Sequence, residues 1–179
     1  MRYASFLRAI NVGGHVVKMD RLRQLFEAAG FSRVETVIAS GNVVFESSKR
    51  SSGGLERTIE THLQKALGYP VAAFVRSLPE LAAVAERQPF GRAPIDAPGS
   101  LFVGFLRNTP SRDAERQVLS LANTTDDLRV DGRELYWLAR RGFAGSTISS
   151  ASLEKMLRGQ ATFRNVNTVR RMAAKYCSG

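Results

Sequence analysis

The first half of the chain alternates between two hydrophobic spacings, one typical of β-strands and the other of amphipathic helices. Four segments rich in β-branched, aromatic and aliphatic side chains predict strands at residues 2–10, 34–39, 43–46 and 71–76. Three segments with helical spacing or alanine-rich composition predict helices at residues 19–29, 55–67 and 77–86. The predicted order is β-α-β-β-α-β, followed by a short helix.

The second half repeats this pattern. Strands are predicted at residues 101–107, 128–130, 134–138 and 161–163. Helices are predicted at residues 111–122, 150–157 and 168–176. Asp131-Gly132 predicts a two-residue hairpin turn that pairs Leu128 with Leu135 and Arg129 with Glu134.

Both halves therefore spell the split βαβ order of ferredoxin-like folds. We predict an α+β protein of two tandem ferredoxin-like domains packed together. The first covers residues 1–87, a proline-rich linker covers 88–100, and the second covers 101–179 with an extra terminal helix. An internal duplication is suggested by the element order, since residue-level similarity between the halves is slight.

Composition narrows the class of protein. The chain has 179 residues, of which 44% are hydrophobic and 23% are charged, which excludes a disordered chain. A single cysteine, Cys177, and two histidines, His15 and His62, exclude a disulfide framework and indicate neither a metal site nor a cofactor. The sequence shows no apolar run of the roughly 20 residues that span a bilayer and no signal peptide. We therefore expect a cytoplasmic protein that has no membrane partner.

The charge is strongly positive, and it points to anionic partners. The net charge is +10, and arginine outnumbers lysine by 21 to 5. The bias is sharpest at the end, where no acidic residue follows Glu154. Such a surface attracts phosphates, although a solvated basic helix explains the same residues. The basic residues of this segment are Lys155, Arg158, Arg164, Arg170, Arg171 and Lys175.

The predicted topology places one group of polar residues together. In a split βαβ unit, the loop after the first strand, the start of the first helix and the hairpin turn at residues 40–42 lie at the same edge of the sheet. Glycines let a ligand approach the backbone, and a helix start attracts anions. The sequence therefore predicts an anion site formed by Arg8, Asn11, Gly13, Gly14, Lys18, Ser40, Gly41 and Asn42.

Structural roles explain the same residues equally well. The loop matches neither phosphate-binding glycine motif, so Gly13 and Gly14 can serve only to make a tight turn. Arg164 and Asn165 lie where a strand leads into a helix, and they too can bind an oxyanion. Asn165 or Asn167 is equally suited to cap the helix. Three aspartates, Asp126, Asp127 and Asp131, are interpreted as turn and edge residues.

Three ordered motifs resemble a known bacterial family. They are Leu7-Arg8-Ala9-Ile10-Asn11-Val12-Gly13-Gly14 with Lys18-Met19, then Ser40-Gly41-Asn42-Val43-Val44-Phe45, then Thr162-Phe163-Arg164-Asn165-Val166-Asn167-Thr168-Val169. Together they are similar to domain-of-unknown-function family 1697. The resemblance implies two ferredoxin-like domains and no assigned activity. Val166 stands where that family usually has tryptophan, and Thr147 where it usually has lysine.

These observations favour one function and leave two alternatives open. The leading hypothesis is a binding module for a small anionic or phosphorylated ligand. The first alternative is a metal-independent enzyme that uses Arg8, Asn11, Ser40, Asn42 and Arg164. The second is electrostatic nucleic-acid binding through the basic C-terminal helix. The third strand lacks the aromatic pair of RNA-binding modules that share this element order.

Overall fold

The computed structural model describes residues 1–38, 41–91 and 101–177. Contacts between these residues divide the chain into two compact units, one covering Met1–Leu81 and the other beginning at Ala82. The predicted domain boundaries at residues 87 and 101 stay a prediction, because positions 92–100 of the linker lie outside the described residues.

The first unit contains a four-stranded antiparallel sheet with the strand order β2-β3-β1-β4. Because β1 and β2 both run antiparallel to β3, they run parallel to each other with β3 between them. Its elements are β1 (Arg2–Arg8), α1 (Met19–Ala28), β2 (Ser32–Val37), β3 (Asn42–Glu46), α2 (Ser52–Leu67) and β4 (Ala72–Ser77). Helix α3 (Leu78–Glu86) follows and runs into the second unit.

The second unit contains a sheet with the equivalent strand order, β6-β7-β5-β8. Its elements are β5 (Leu101–Leu106), α4 (Arg112–Leu119), β6 (Asp126–Asp131), β7 (Glu134–Ala139), a 3₁₀ turn (Phe143–Gly145), α5 (Ser150–Leu157), β8 (Ala161–Asn165) and α6 (Val166–Tyr176). The prediction of an α+β protein with two tandem ferredoxin-like domains is confirmed.

Each sheet packs one face against its own helices. In the first unit, Tyr3, Val43 and Val75 on the strands form one core with Phe26 of α1 and Ile59 of α2. In the second unit, the core joins Trp137 and Leu128 to side chains of α4 and α5. Alternate strand residues turn to the same face, which is why period-two patterns in the sequence marked these strands.

The strand register reveals the duplication at the level of single residues. Aligned by their pairing partners, Phe6-Leu7-Arg8 of the first unit matches Phe105-Leu106-Arg107 of the second. The Leu7 N–H donates to the Gly41 carbonyl at 2.8 Å, and the Leu106 N–H donates to the Arg133 carbonyl at 2.9 Å. The slight residue similarity read from the sequence therefore understates the repeat.

One edge strand of each sheet, β4 and β8, donates a backbone N–H to a glutamate of a helix. The Ala73 N–H of β4 donates to Glu60 of α2 at 2.9 Å, and the Ala161 N–H of β8 donates to Glu154 of α5 at 2.8 Å. The buried Glu56 of α2 accepts a further N–H, from Val75, at 2.9 Å. A helix glutamate thus satisfies strand donors that would otherwise be open to pairing with another chain.

The predicted register of the second hairpin is wrong, because its two-residue turn lies one residue later in the chain than predicted. The observed turn is Gly132-Arg133, so Asp131 pairs with Glu134 and Arg129 lies opposite Tyr136. Gly132 is the first central residue of the observed turn and has a φ of +59°, as in a type II′ turn. This turn forms in place of the predicted type I′ turn, in which Asp131 and Gly132 would be the central residues. The shift preserves the apolar face but abolishes the expected Arg129–Glu134 pair.

The sheet of the second unit is closely packed at Gly104, and this leads to a prediction. A Cβ built on Gly104 would lie 2.6 Å from Cε1 of Phe163, its partner on β8. The equivalent pair in the first unit is Ser5 with Val75, where Ser5 is larger than Gly104 and Val75 is smaller than Phe163. We expect Gly104→Ala to lower the free energy of unfolding by about 1–3 kcal/mol through overpacking, measured by urea denaturation.

The matched control is Gly53→Ala in α2, where the nearest atom lies 3.7 Å from the added Cβ. This variant should be neutral or more stable, by up to about 1 kcal/mol, because alanine favours helix over glycine. Equal effects of the two substitutions would contradict the packing argument.

Candidate functional site

The edge of the first sheet brings together the loop after β1 and the turn before β3, as predicted. Gly41 has a φ of +73°, and a Cβ there would lie 3.2 Å from Cβ of Leu7 and 3.3 Å from Cβ of Ile10. The glycine therefore permits close approach of the chain's own strand end. Ser40 lies outside the described residues.

Gly13 and Gly14 form a tight turn, which is the structural alternative to a role in anion binding. The His15 N–H donates to the Val12 carbonyl at 3.1 Å, and the two glycines have φ values of +61° and +85°. Positive φ at both central positions is the type I′ pattern. The turn is exposed, and no described atom lies within 4 Å of a Cβ added to either glycine.

The two predicted asparagines hold the backbone around this turn. The Asn11 side-chain oxygen accepts the N–H of buried Val17 at 2.8 Å, which closes the loop in front of α1. Asn42 is fully buried and donates to the Val37 carbonyl at 3.2 Å. Both contacts are positioning contacts, which fix where α1 begins and where the hairpin closes.

The two predicted cations differ in exposure. Lys18 is exposed at the N-cap of α1, and within the described part of the chain its side chain makes no capping hydrogen bond. Arg8 is half-buried at the end of β1, opposite Ala72. Four other helices begin with side-chain caps, from Ser51, Ser111, Ser149 and Asn165. The N-cap of α1 is thus a lysine, whereas the N-caps of these four helices provide a hydroxyl or an amide group.

The backbone at this edge is unusually strained. Ala9, Asn11 and Ile38 have φ values of +69°, +58° and +51°. Such a conformation costs an L-residue about 1–2 kcal/mol, and it is least favourable for a β-branched residue such as Ile38. Residues held in this way cluster at functional sites, where the surrounding contacts maintain them.

An aromatic pair beside the loop was missed by the sequence analysis. The ring of His15 stacks on Tyr69 with centroids 3.9 Å apart. The Tyr69 hydroxyl oxygen is buried and finds no hydrogen-bond partner among the described residues, and burial raises the pKa of Tyr69. Tyr69 follows α2 and is distant from His15 in sequence, so only the fold brings these rings together.

Arg164 and Asn165 belong to the second unit, where both have structural contacts. The Arg164 guanidinium donates to the Thr162 hydroxyl at 2.8 Å and to the Phe163 carbonyl at 2.9 Å. Burial lowers the pKa of Arg164 to about 10, so the side chain remains charged at neutral pH. Asn165 caps α6, since its side chain accepts the Asn167 N–H at 2.8 Å.

The interpretation of Asp126 as an edge residue agrees with its place on the edge strand β6, but it did not include the buried contacts of the side chain. Asp126 is fully buried at the start of β6 and accepts hydrogen bonds from Trp137 Nε1 at 2.8 Å and Ser146 Oγ at 2.5 Å. Thr125 Oγ1 donates to its other oxygen at 2.8 Å. Burial raises the pKa of Asp126, but the hydrogen bonds from Ser146, Trp137, Thr125 and Asn123 outweigh this effect and lower it below 3.8.

Two features are absent from the described ranges. Within residues 1–38, 41–91 and 101–177, no cluster of three or more His, Cys, Asp or Glu side chains could hold a metal ion. Among the helices in these ranges, none is long and apolar enough to cross a membrane.

A family model matches most of the chain. Residues 1–136 match the model of a family described as protein of unknown function (DUF1697). The chain belongs to this family. The resemblance inferred from the sequence motifs is confirmed at family level, although the tail motif lies outside the matched residues. No curated protein matches the chain.

A solved structure shares the fold. The conserved bacterial protein SP0830 from Streptococcus pneumoniae is 23% identical to the chain, with a TM-score of 0.70. The match covers 99% of this member of the DUF1697 family and 98% of the pneumococcal protein. At this identity the likeness shows the fold alone, so function has to be argued from the site.

An added Cβ would have close neighbours at Gly41 but none within 4 Å at Gly13, so the two glycines should respond differently to substitution. We expect Gly41→Ala to lower the free energy of unfolding by about 2–4 kcal/mol, because it combines a strained φ with contacts to Leu7 and Ile10. Gly13→Ala meets only the strained φ and should cost about 1–2 kcal/mol. Thermal denaturation of both variants measures the difference, and equal losses would contradict it.

The Asp126 cluster predicts a pH-dependent contribution to stability. Because its pKa is lower in the folded than in the unfolded chain, this contribution is complete above pH 3.8 and is lost as the pH falls through the folded-state pKa. Asp126→Asn should lower stability at pH 7 by about 1–3 kcal/mol, and the difference from the wild type should shrink in acid.

Urea denaturation between pH 7 and pH 2.5 provides the measurement. The control is Asp131→Asn, an exposed carboxylate paired with Arg87, which should change stability by less than about 1 kcal/mol. A gap between Asp126→Asn and the wild type that is constant with pH would refute the assignment.

Proposed function

We propose that this DUF1697 protein is a cytoplasmic binding module for a small anionic or phosphorylated ligand, seated at the edge of the first sheet. The observation that carries the proposal is the start of α1. Its N-cap is the exposed Lys18, and the N–H groups of its first turn receive no capping bond from that side chain within the described chain. Such donors, together with the positive end of the helix dipole, favour an anion.

The surroundings of this helix start support the proposal in a second way. Ala9 and Ile38 have left-handed backbone conformations, and the loop and turn that contain them are tied down by the Leu7–Gly41 hydrogen bond and by the contact of Asn11 with Val17. Strain of this kind lowers stability, and it clusters at functional sites. The half-buried Arg8 adds positive charge at the same edge.

The aromatic pair adds ring surface to the proposed site. His15 stacked on Tyr69 presents ring surface beside the exposed turn formed by Gly13 and Gly14. An anion with a planar or apolar part would contact this surface while its charge meets the start of α1. A small organic phosphate or carboxylate fits this combination better than a bare ion.

Lys18 offers a variant that separates binding from stability. We expect Lys18→Ser to install the missing N-cap, since Lys18 already has the extended backbone of a capping residue, with φ −63° and ψ 143°. The free energy of unfolding should rise by about 0.5–1 kcal/mol. The affinity for inorganic phosphate should fall by roughly fivefold or more, because the serine occupies the donors and removes a charge.

The readout is the amide NMR shifts of residues 13–21 during a phosphate titration, with Lys18→Gln as the variant that removes charge alone. Lys65→Gln, the same change at an exposed lysine on α2, is the control and should leave the affinity unaltered. Phosphate shifts that are no larger at residues 13–21 than elsewhere, or that Lys18→Ser leaves intact, would refute the proposal.

The two alternatives stay predictions with their own tests. Turnover of a metabolite pool would indicate an enzyme, whereas thermal stabilisation without turnover indicates binding. Binding to DNA or RNA that weakens steeply with salt would favour the basic α6. On that helix, Arg170 already donates to the Ala85 carbonyl at 3.4 Å, and Lys175 lies 4.7 Å from the ring centre of Tyr176.

A further inference from the structure

A cavity of about 380 Å³ lies in the second unit, between the end of β5 and the connection from α5 to β8. Its volume is in the range of small-molecule sites. Two buried leucines, Leu106 and Leu157, contribute apolar surface to its lining. Arg107, Asn108, Arg158 and Gln160 contribute the polar groups.

The polar groups of this cavity favour an oxyanion. Arg107 and Arg158 bring guanidinium groups, whose planar donors match phosphate and carboxylate oxygens. The lining contains no acidic side chain within the described residues. One acidic residue competes for Arg158: the carboxylate of Asp113 of α4 lies 3.5 Å from Nη2 of Arg158.

The repeat within the chain shows that Arg158 is not required by the fold. Helix α2 of the first unit ends on Gly68, with a φ of +82°, and its N–H donates to Gln64. Helix α5, which occupies the same place in the second unit, ends on Arg158 in the same left-handed conformation, with a φ of +54°. An arginine there costs about 1–2 kcal/mol relative to a glycine.

A second repeated position carries the other guanidinium. Arg107 follows Phe105 and Leu106 at the end of the first strand of its sheet, as Arg8 follows Phe6 and Leu7 in the first unit. The two halves thus share an arginine after the first strand. Only the second half adds Arg158, and the cavity lies where these two positions meet.

We propose that the second unit has its own binding site for a small organic oxyanion, with Arg107 and Arg158 holding the charged group and Leu106 and Leu157 contacting the apolar part. The strained backbone of Arg158 is retained because its side chain binds the ligand. This site is separate from the one proposed at the start of α1, and neither proposal depends on the other.

The test uses three probes on the full chain: phenyl phosphate, benzoate and inorganic phosphate. We expect phenyl phosphate or benzoate to shift the amide NMR signals of residues 106–111 and 158–160. The tighter of the two shows whether the oxyanion is a phosphate or a carboxylate. Inorganic phosphate should bind more weakly than phenyl phosphate, because it leaves the leucines without a contact. If neither aromatic probe shifts these signals, the proposal fails.

Arg158→Gly is the decisive variant because it should move stability and binding in opposite directions. Glycine relieves the left-handed backbone, so the melting temperature should stay the same or rise. The affinity for the bound aromatic probe should fall at least about tenfold, since a charge-assisted contact is lost. Lower stability would contradict the strain argument, and unchanged affinity would overturn the site.

Three further variants complete the design. Arg107→Gln should lower the affinity for the probe about as much as Arg158→Gly does. Asp113→Asn should tighten it about two- to fivefold, because the competing carboxylate is removed from Arg158. Arg141→Gln, the same loss of charge at an exposed arginine of this unit, should leave the affinity within twofold of the wild type. Equal weakening by Arg141→Gln would mean that only net charge attracts the probe.

Discussion

The antiparallel pairing of the first strand of each unit with two neighbours is the constraint on which the remaining structure depends. In the first unit, the pairing of β1 with β3 ends at the hydrogen bond from Leu7 to Gly41. A slip of one residue would turn every side chain of β1 to the opposite face of the sheet, so the register and the core determine each other. The same bond also holds the loop after β1 against the hairpin turn, and it thereby positions the start of α1.

The duplicated halves show how the same fold tolerates different residues. Ser5 opposite Val75 becomes Gly104 opposite Phe163, which exchanges volume between two neighbouring strands. Such exchanges preserve packing because the sum of the volumes matters more than either side chain. Glu60 and Glu154, by contrast, keep the same role, because an edge strand has donors to satisfy whatever packs beside it.

Two positions at which the halves diverge are those on which the proposed sites rest. Lys18 begins a helix where the other capped helices have serine or asparagine, and Arg158 ends a helix where its counterpart has glycine. Each residue is locally less stabilising than the serine, asparagine or glycine found at the corresponding helix ends, and each places a cation at a loop. Within one chain, the two halves serve as references for each other, and these departures are visible without any relative.

Local patterns in the sequence determined most of the fold. Hydrophobic spacing depends only on residues a few positions apart, so it predicted the eight strands and six α-helices that the described residues form, together with their shared topology. The same local information predicted that Asn165 or Asn167 caps the last helix, and the predicted topology placed the loop and the turn at one edge.

Tertiary structure decided what depends on residues distant in sequence. The burial of Asp126 rests on donors from β7 and Ser146, and the contact of His15 with Tyr69 rests on the closing of the first unit. The left-handed backbone of Arg158 and the cavity beside it also depend on how α5 joins β8. Sequence pattern encodes which residues turn inward, whereas only the folded chain determines which of them meet.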